Sequence, residues 1–199
     1  MTRPESRPRA LVALGSSWGG LNALRTILGA LPGDLGAALV VVQHRSSDSH
    51  PTAFRDLVGA VTQLRVSEAE DKQPLEPGHV HIAPPGFHML VEDDHLELSM
   101  EAAVEYSRPS IDVLFESAAE SYRDRCAGVV LTGANADGAA GLARVAELGG
   151  AAIVQDPDSA ERDEMPRAAL AAVPSSRVLP LEQIAPALVE LCTEAGARV

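Results

Sequence analysis

Short apolar runs alternate with segments of helical periodicity along most of this chain. Residues 10–14, 37–43, 127–131 and 151–155 are continuous aliphatic stretches, and apolar residues recur at helical spacing in the segments between them. Continuous apolar runs of this length are typical of parallel strands that are buried on both faces. Strands alternating with helices therefore predict an α/β fold, with a doubly wound, mainly parallel sheet and helices on both faces.

The segment between residues 64 and 100 breaks this alternation. Residues 80–83, 90–92 and 95–98 form short strand-like stretches, and an Asp-Asp pair separates the last two. A two-residue polar turn between such stretches predicts a hairpin. We therefore expect a small antiparallel hairpin excursion in this part of the chain.

The chain has the length of one domain, preceded by a short tail. Residues 1–9 are polar and rich in Arg and Pro, which predicts a disordered tail, and residues 10–199 are expected to form a single domain.

Cys126 and Cys192 lie in segments predicted to be helical, without the spacing of a disulfide framework or a zinc knuckle. A reducing compartment suits such a chain best.

The charge balance excludes one class of partner. The chain has 16 Lys and Arg against 28 Asp and Glu, a net charge of −12, and only one Trp, two Tyr and three Phe. Such a surface repels phosphate backbones and offers few rings for stacking bases, so we expect no nucleic-acid partner.

No apolar run is long enough to span a bilayer, and the first residues lack the apolar core of a signal peptide. We expect a cytoplasmic protein.

Polar side chains of three kinds follow the ends of three predicted strands. Ser17 follows the first strand, His44 the second, and Asp137 the strand over residues 127–131. In parallel sheets these strand ends meet at one edge, where ligands bind. A hydroxyl, an imidazole and a carboxylate at one edge suit acyl transfer through a Ser-His-Asp triad. Their order along the chain differs from the Ser, Asp, His order of the α/β-hydrolases.

The sequence Gly-Ser-Ser-Trp-Gly at residues 15–19 matches the G-x-S-x-G pattern centred on Ser17. This pattern forms a sharp strand-to-helix turn that exposes the hydroxyl, and the backbone N–H of Trp18 would then stabilise an oxyanion. Alternatives are open for each residue. Ser17 could only cap the following helix, the glycine turn could hold a phosphate, His44 could be a polar strand end, and Asp137 could be a helix N-cap.

Other histidines and two arginines suggest further hypotheses. His79 and His81 alternate onto one face of a strand, with two more histidines nearby, but no carboxylate or cysteine completes a ligand spacing. We therefore expect no metal and no cofactor. Arg108 and Arg167 stand at the starts of predicted helices, where a structural ion pair is favoured; the alternative is that they position a carboxylate-like group of a substrate.

Several separated blocks resemble one known family, the bacterial chemotaxis protein-glutamate methylesterases of the CheB type. Residues 14–20 resemble its nucleophile turn, Gln43-His44 its Gln-His strand end, and residues 131–141 its aspartate loop. The resemblance extends from residue 10 to the end of the chain. Further blocks that resemble the family are residues 69–71, 77–79, 82–84, 108–115 and 165–167.

The resemblance implies roles for these residues and a substrate. Ser17 would be the nucleophile, His44 the base and Asp137 the acid that orients the base. A second oxyanion donor would be the backbone N–H of Ala134, which follows Gly133. The implied activity is hydrolysis of glutamyl methyl esters in methylated chemoreceptors, with deamidation of some receptor glutamines, so that the protein would reach a membrane only through the receptor. The alternative is a non-catalytic chemosensory module with the same fold.

The chain departs from the family pattern in three places. Trp18 replaces the usual Thr after the nucleophile, which implies altered substrate access. Ala134 and Asn135 replace a Met and a Gly in the aspartate loop, and we expect Asn135 to preserve the loop shape because Asn tolerates a positive φ. Only residues 1–9 precede the first strand, where usual members carry a receiver domain, so we expect no phosphorylation control within the chain. The oligomeric state is left open.

Overall fold

The computed structural model describes residues 8–45 and 52–197. The predicted tail lies outside the described residues, except for its last two positions, where the backbone N–H of Arg9 donates to the carbonyl of Gly36 (3.3 Å). The strands are β1 (Ala10–Ser16), β2 (Ala37–Gln43), β3 (Arg65–Glu68), β4 (His79–Ile82), β5 (His88–Glu92), β6 (His95–Ser99), β7 (Cys126–Val130), β8 (Ala151–Gln155) and β9 (Arg177–Leu179). The helices are α1 (Gly20–Ala30), α2 (Ala53–Gly59), α3 (Ile111–Tyr122), α4 (Ala139–Glu147), α5 (Glu164–Ala172) and α6 (Leu181–Ala197), with single 3₁₀ turns at Arg123–Arg125 and Pro157–Ser159.

Seven strands form one parallel sheet in the order β3-β4-β2-β1-β7-β8-β9. β1 lies between β2 and β7, so the strand order reverses there. β5 and β6 form a separate antiparallel hairpin. The predicted doubly wound α/β fold with a small hairpin is therefore confirmed.

Each face of the sheet is covered by its own apolar layer. α1, α2 and α6 pack on one face, where Leu24 and Leu188 are fully buried. α3, α4, α5 and the hairpin cover the other face, with Phe115 and Met89 in its core. Both faces of the central strands are therefore dry, which explains why β1 and β2 are continuous apolar runs.

Some predicted elements differ from the structure. Residues 80–83 were expected within the antiparallel excursion, but β4 pairs in parallel with β2 and β3 in the main sheet. Cys126 was expected in a helix and instead begins β7. β3 and β9 were not predicted, because they are short edge strands whose residues are mostly exposed or half-buried and lack an apolar run. Among the described residues, no helix combines the length and the apolar character needed to cross a membrane.

Candidate active site

The predicted site residues lie together at the carboxyl ends of β1, β2 and β7. Adjacent strands in this part of the sheet are in register, so that Ser16 pairs with Gln43 and Gly15 with Val130. The residues that follow these strands, Ser17, His44 and the aspartate loop, therefore leave the sheet side by side. This is the point of strand-order reversal where open α/β sheets bind ligands.

The turn after β1 exposes one serine and buries the other. Ser16 is fully buried and its hydroxyl donates to Oε1 of Gln43 (2.8 Å), whereas Ser17 is half-buried. The backbone N–H of Ser17 donates to the carbonyl of Thr132 (3.0 Å), which ties the turn to the aspartate loop. Gly19, at a φ of 78°, is the N-cap of α1, and no side chain caps this helix. The alternative that Ser17 only caps α1 is therefore wrong.

Gln43 braces both sides of the site. Its Nε2 donates to the backbone carbonyls of Ser17 (2.7 Å) and His44 (3.0 Å), and it is almost fully buried. Gly20 makes room for this side chain, because a Cβ there would lie 2.0 Å from Oε1 of Gln43. Gln43 was not predicted as a site residue, although a Gln at the end of an otherwise apolar buried strand was a signal for one.

His44 and Asp137 are in direct contact. Nε2 of His44 lies 2.8 Å from Oδ2 of Asp137, whose side chain is completely buried. Asp137 also accepts from the hydroxyl of Ser110 (2.9 Å) and from the backbone N–H groups of Ile111 (2.8 Å) and Asp112 (2.9 Å) at the start of α3. Four donors therefore hold this carboxyl group in one orientation.

These donors also decide the ionisation of Asp137. Burial by itself raises the pKa of the Asp137 carboxyl, but the hydrogen bonds from His44, Ile111 and Asp112 outweigh it and lower the pKa below the usual 3.8. The carboxylate is therefore charged at neutral pH and can stabilise a protonated imidazole. Asp137 is not the N-cap of α4, as the alternative supposed; that position is Gly138, at a φ of 98° and without a side-chain cap.

The aspartate loop closely approaches the serine turn. A Cβ at Gly133 would lie 1.8 Å from Sδ of Met165 and 2.9 Å from Cβ of Ser17, so only glycine fits there. The backbone N–H groups of Trp18 and Ala134 donate to no acceptor in the part of the chain that the structure describes. Both predicted oxyanion donors are therefore unengaged.

Asn135 contacts His44 through its side chain. Its Nδ2 lies 3.4 Å from Nδ1 of His44, and its Oδ1 accepts from the backbone N–H of Asp137 (3.3 Å). Asn135 is not among the residues with a positive φ, so its tolerance of that conformation is not used here. Within residues 8–45 and 52–197, the Ser17 hydroxyl makes no hydrogen bond, and Nδ1 of His44 faces Asn135 instead.

A cavity of about 330 Å³ opens beside the serine turn and is lined by Ser17, Trp18 and Glu161 among others. The Trp18 side chain is 60% exposed, and the guanidinium of Arg162 lies 5.5 Å from the centre of its ring. Thr132 links these two residues, because its hydroxyl is shared between the carbonyls of Trp18 and Arg162. The indole therefore forms a wall of the cleft rather than part of the core.

The two arginines proposed for substrate contact differ in position. Arg108 lines a cavity shared with His44, and its Nη1 donates to the carbonyls of Met100 (3.0 Å) and Glu101 (2.9 Å). Arg167 is exposed and donates through Nε to Asp163 (2.6 Å), an ion pair within the first turn of α5. Both side chains have structural partners.

The four histidines considered for a metal site do not assemble. His79 and His81 lie on one face of β4 with ring centres 4.0 Å apart. His88 is held by Ser110 and the carbonyl of Ala102 elsewhere. Among the described residues there is no group of three or more His, Cys, Asp or Glu side chains placed to hold a metal ion.

Comparison with known proteins identifies the family. Residues 12–188 match the family model described as CheB methylesterase. A protein of Leptospira interrogans, provisionally named protein-glutamate methylesterase/protein-glutamine glutaminase, is 45% identical over 181 residues, which cover 90% of this chain and 93% of that protein. The protein-glutamate methylesterase FrzG of Myxococcus xanthus is 41% identical over 92% of this chain and 55% of its own length.

A solved structure gives the same result. The CheB methylesterase catalytic domain of Thermotoga maritima superposes with a TM-score of 0.88 at 32% identity, covering 92% of this chain and 98% of that domain. The fold is that of a catalytic domain of the protein-methylesterase class. The chain belongs to the CheB methylesterase family, and the resemblance described from the sequence is confirmed.

Proposed function

We propose that this chain hydrolyses glutamyl methyl esters in a methylated chemoreceptor, with Ser17 as nucleophile, His44 as base and Asp137 as the acid that orients it. The names of its relatives support the activity. The observation that carries the assignment is the 2.8 Å contact between His44 and the buried Asp137, beside the half-buried Ser17 of the β1 turn, whose neighbour Ser16 is fully buried. An orienting carboxylate and a turn-borne serine are the parts that acyl transfer requires.

The acylation step uses the ring nitrogen that does not face Asp137. Oγ of Ser17 attacks the ester carbonyl carbon while its proton passes to Nδ1 of His44. The resulting oxyanion receives hydrogen bonds from the backbone N–H groups of Trp18 and Ala134, next to Gly133. His44 then returns the proton to the methoxy oxygen, so that the carbon–oxygen bond breaks and methanol leaves.

Water completes the cycle. A water molecule attacks the acyl carbonyl while His44 takes one of its protons, and the same proton then returns to Oγ of Ser17 as the acyl bond breaks. The product is the free glutamate side chain. A glutamine side chain reacts by the same steps with ammonia as the leaving group, so deamidation needs no second site.

The proposed substrate is the cytoplasmic part of a receptor, and the enzyme acts in the cytoplasm. Arg108 is proposed to position the substrate, because it lines the same cavity as His44. Arg167 would contribute only if substrate displaced its ion pair with Asp163. The net charge of −12 argues against long-range electrostatic attraction to an acidic receptor helix.

Covalent labelling tests the proposed nucleophile. We expect a fluorophosphonate ester to add once to the whole protein, and fragmentation of the labelled peptide to place the adduct on Ser17. Ser17→Ala should abolish the adduct, and Ser16→Ala, which removes the neighbouring buried hydroxyl, should retain it. Addition to Ser16 would overturn the assignment, and absence of any adduct in the folded protein would favour the non-catalytic alternative.

A further inference from the structure

Both ring nitrogens of His44 have a polar partner in this structure, and the partner of Nδ1 is not the serine. Nε2 faces Asp137 at 2.8 Å and Nδ1 faces Nδ2 of Asn135 at 3.4 Å. The family pattern described above has a glycine at position 135, which has no side chain to offer. The contact is therefore a property of this chain and not of the catalytic scheme.

The backbone determines which way the Asn135 amide points. The N–H of Asp137 can only donate, and it lies 3.3 Å from one terminal atom of the Asn135 side chain, so that atom is the oxygen. The other terminal atom is then the NH₂ group, which can only donate and faces Nδ1 of His44. Nδ1 must accept, so it carries the lone pair, and the ring proton lies on Nε2, directed at Asp137.

We propose that Asn135 is a positioning residue for the base: its amide holds His44 as the tautomer protonated at Nε2 and occupies Nδ1 until the Ser17 hydroxyl replaces it. This inference rests on the proposed function, because it gives Nδ1 the task of accepting the serine proton. The lack of any hydrogen bond from Ser17 to His44 in the described residues agrees with an occupied Nδ1.

The proposal has a direct consequence for proton binding. A hydrogen on Nδ1 would face the hydrogens of the Asn135 amide, so the amide must move away before Nδ1 can take a proton. Among the described residues, the other ionisable groups around the ring are Asp137, which it contacts, and Arg45, Tyr106 and Arg108, which line the same cavity. All of them are unchanged in variants of position 135, so differences between those variants report on Asn135 alone.

The test is the pH dependence of ester hydrolysis by the full chain, with p-nitrophenyl acetate as the probe. We expect Asn135→Ala to move the midpoint of the acidic limb of kcat/KM upward by about 0.5 pH unit, because the donor is removed. Asn135→Asp can still accept from the N–H of Asp137 but presents a carboxylate oxygen to Nδ1, and should move the midpoint upward by about one unit or more. Gln183→Glu, on the exposed side of α6, adds the same charge away from the site and should leave the midpoint in place.

A second measurement does not depend on turnover. Long-range proton–nitrogen spectra of the imidazoles, with His44 assigned by the loss of its signals in His44→Gln, should show a protonated Nε2 and an unprotonated Nδ1 in the parent protein at pH 8. The titration of that signal should move upward in the order parent, Asn135→Ala, Asn135→Asp. If neither variant moves either midpoint, or if Nδ1 carries the proton in the parent protein, the inference is wrong. If the parent protein hydrolyses no ester but the titrations move as expected, the proposed function fails and the tautomer assignment stands.

Discussion

Asp137 and Asp112 accept hydrogen bonds from each other's helices. Asp112 belongs to α3 and Asp137 directly precedes α4, and each carboxylate accepts from the N-terminus of the other helix. Asp137, just before α4, accepts from the backbone N–H groups of Ile111 and Asp112 in α3. Asp112, in the first turn of α3, accepts through Oδ1 from the N–H groups of Gly138 (2.9 Å) and Gly141 (2.7 Å) at the start of α4. The two helix N-termini are therefore capped by exchange, and the carboxylate that contacts His44 is held by the helix packing itself.

Removing the Asp112 carboxyl should destabilise the protein. Asp112→Ala leaves two buried N–H groups without an acceptor, and we expect it to lower the free energy of unfolding by about 2–4 kcal/mol. Asp112→Asn is the matched control. Burial and the nearby Asp137 raise the pKa of Asp112 against the effect of its hydrogen bonds, so the charged form of this carboxyl is disfavoured at its position. The neutral side-chain oxygen of Asn can still accept, so Asp112→Asn should lower the free energy of unfolding much less than Asp112→Ala. Urea unfolding of the three proteins measures both values, and equal losses in the two variants would contradict the exchange of caps.

The sequence predicted the elements that are long, apolar and central. β2 and β8 were placed at their observed bounds. β3 and β9 were missed because edge strands are paired on one side only and need no continuous apolar run. β4 was assigned to the wrong sheet. Its alternation of His with apolar residues indicates a strand, but it does not indicate which strands pair with it.

For the site, spacing predicted which residues meet but not how they are held. Ser17, His44 and Asp137 follow three strands whose order reverses at β1, and this topology alone brings them to one edge. The role of Asp137 as an acceptor for α3 could not be predicted, because it depends on packing between α3 and α4. The prediction for Asn135 considered only the backbone φ that Asn tolerates, whereas in the structure its side chain contacts His44.

His81 should make stability depend on pH. It is fully buried on β4, and neither ring nitrogen has a hydrogen-bond partner among the described residues. Burial, assisted by the neighbouring His79, lowers its pKa from 6.5 to about 3. Because the folded-state pKa is the lower one, the contribution of His81 to stability is complete above pH 6.5 and is lost as the pH falls from 6.5 towards 3.

His81→Leu tests this dependence. The variant replaces an unpartnered polar ring with an apolar side chain, so we expect it to be at least as stable as the parent protein at pH 7.5. We also expect its free energy of unfolding to fall less between pH 7.5 and 5.5. Urea unfolding across that range measures the slope, and a slope equal to that of the parent protein would assign the titration to another group.

Trp18 should affect the choice of substrate more than the chemical step. The proposed oxyanion donor at this position is the backbone N–H, whereas the indole forms a wall of the cleft, 5.5 Å from the guanidinium of Arg162. We expect Trp18→Thr to change kcat/KM for a methylated receptor by about fivefold or more, and that for a small ester by about twofold or less. Trp18→Phe retains an aromatic face for Arg162 and should stay closer to the parent protein.

Single-turnover kinetics on both substrates distinguish the possible outcomes. An equal loss on the small ester and the receptor would show that the indole supports the geometry of the serine turn. Unchanged rates on both would show that Trp18 contributes nothing to specificity.

Ser17 is the proposed nucleophile in the hydrolysis of protein glutamyl methyl esters. The most direct test is release of radiolabelled methanol from a methylated chemoreceptor by the purified chain and by its Ser17→Ala variant, with far-ultraviolet circular dichroism to show that the variant is folded. We predict release by the parent protein and a loss of at least about 10³-fold in Ser17→Ala, as expected when one member of a triad is removed. Near-normal release by a folded Ser17→Ala protein would contradict the account.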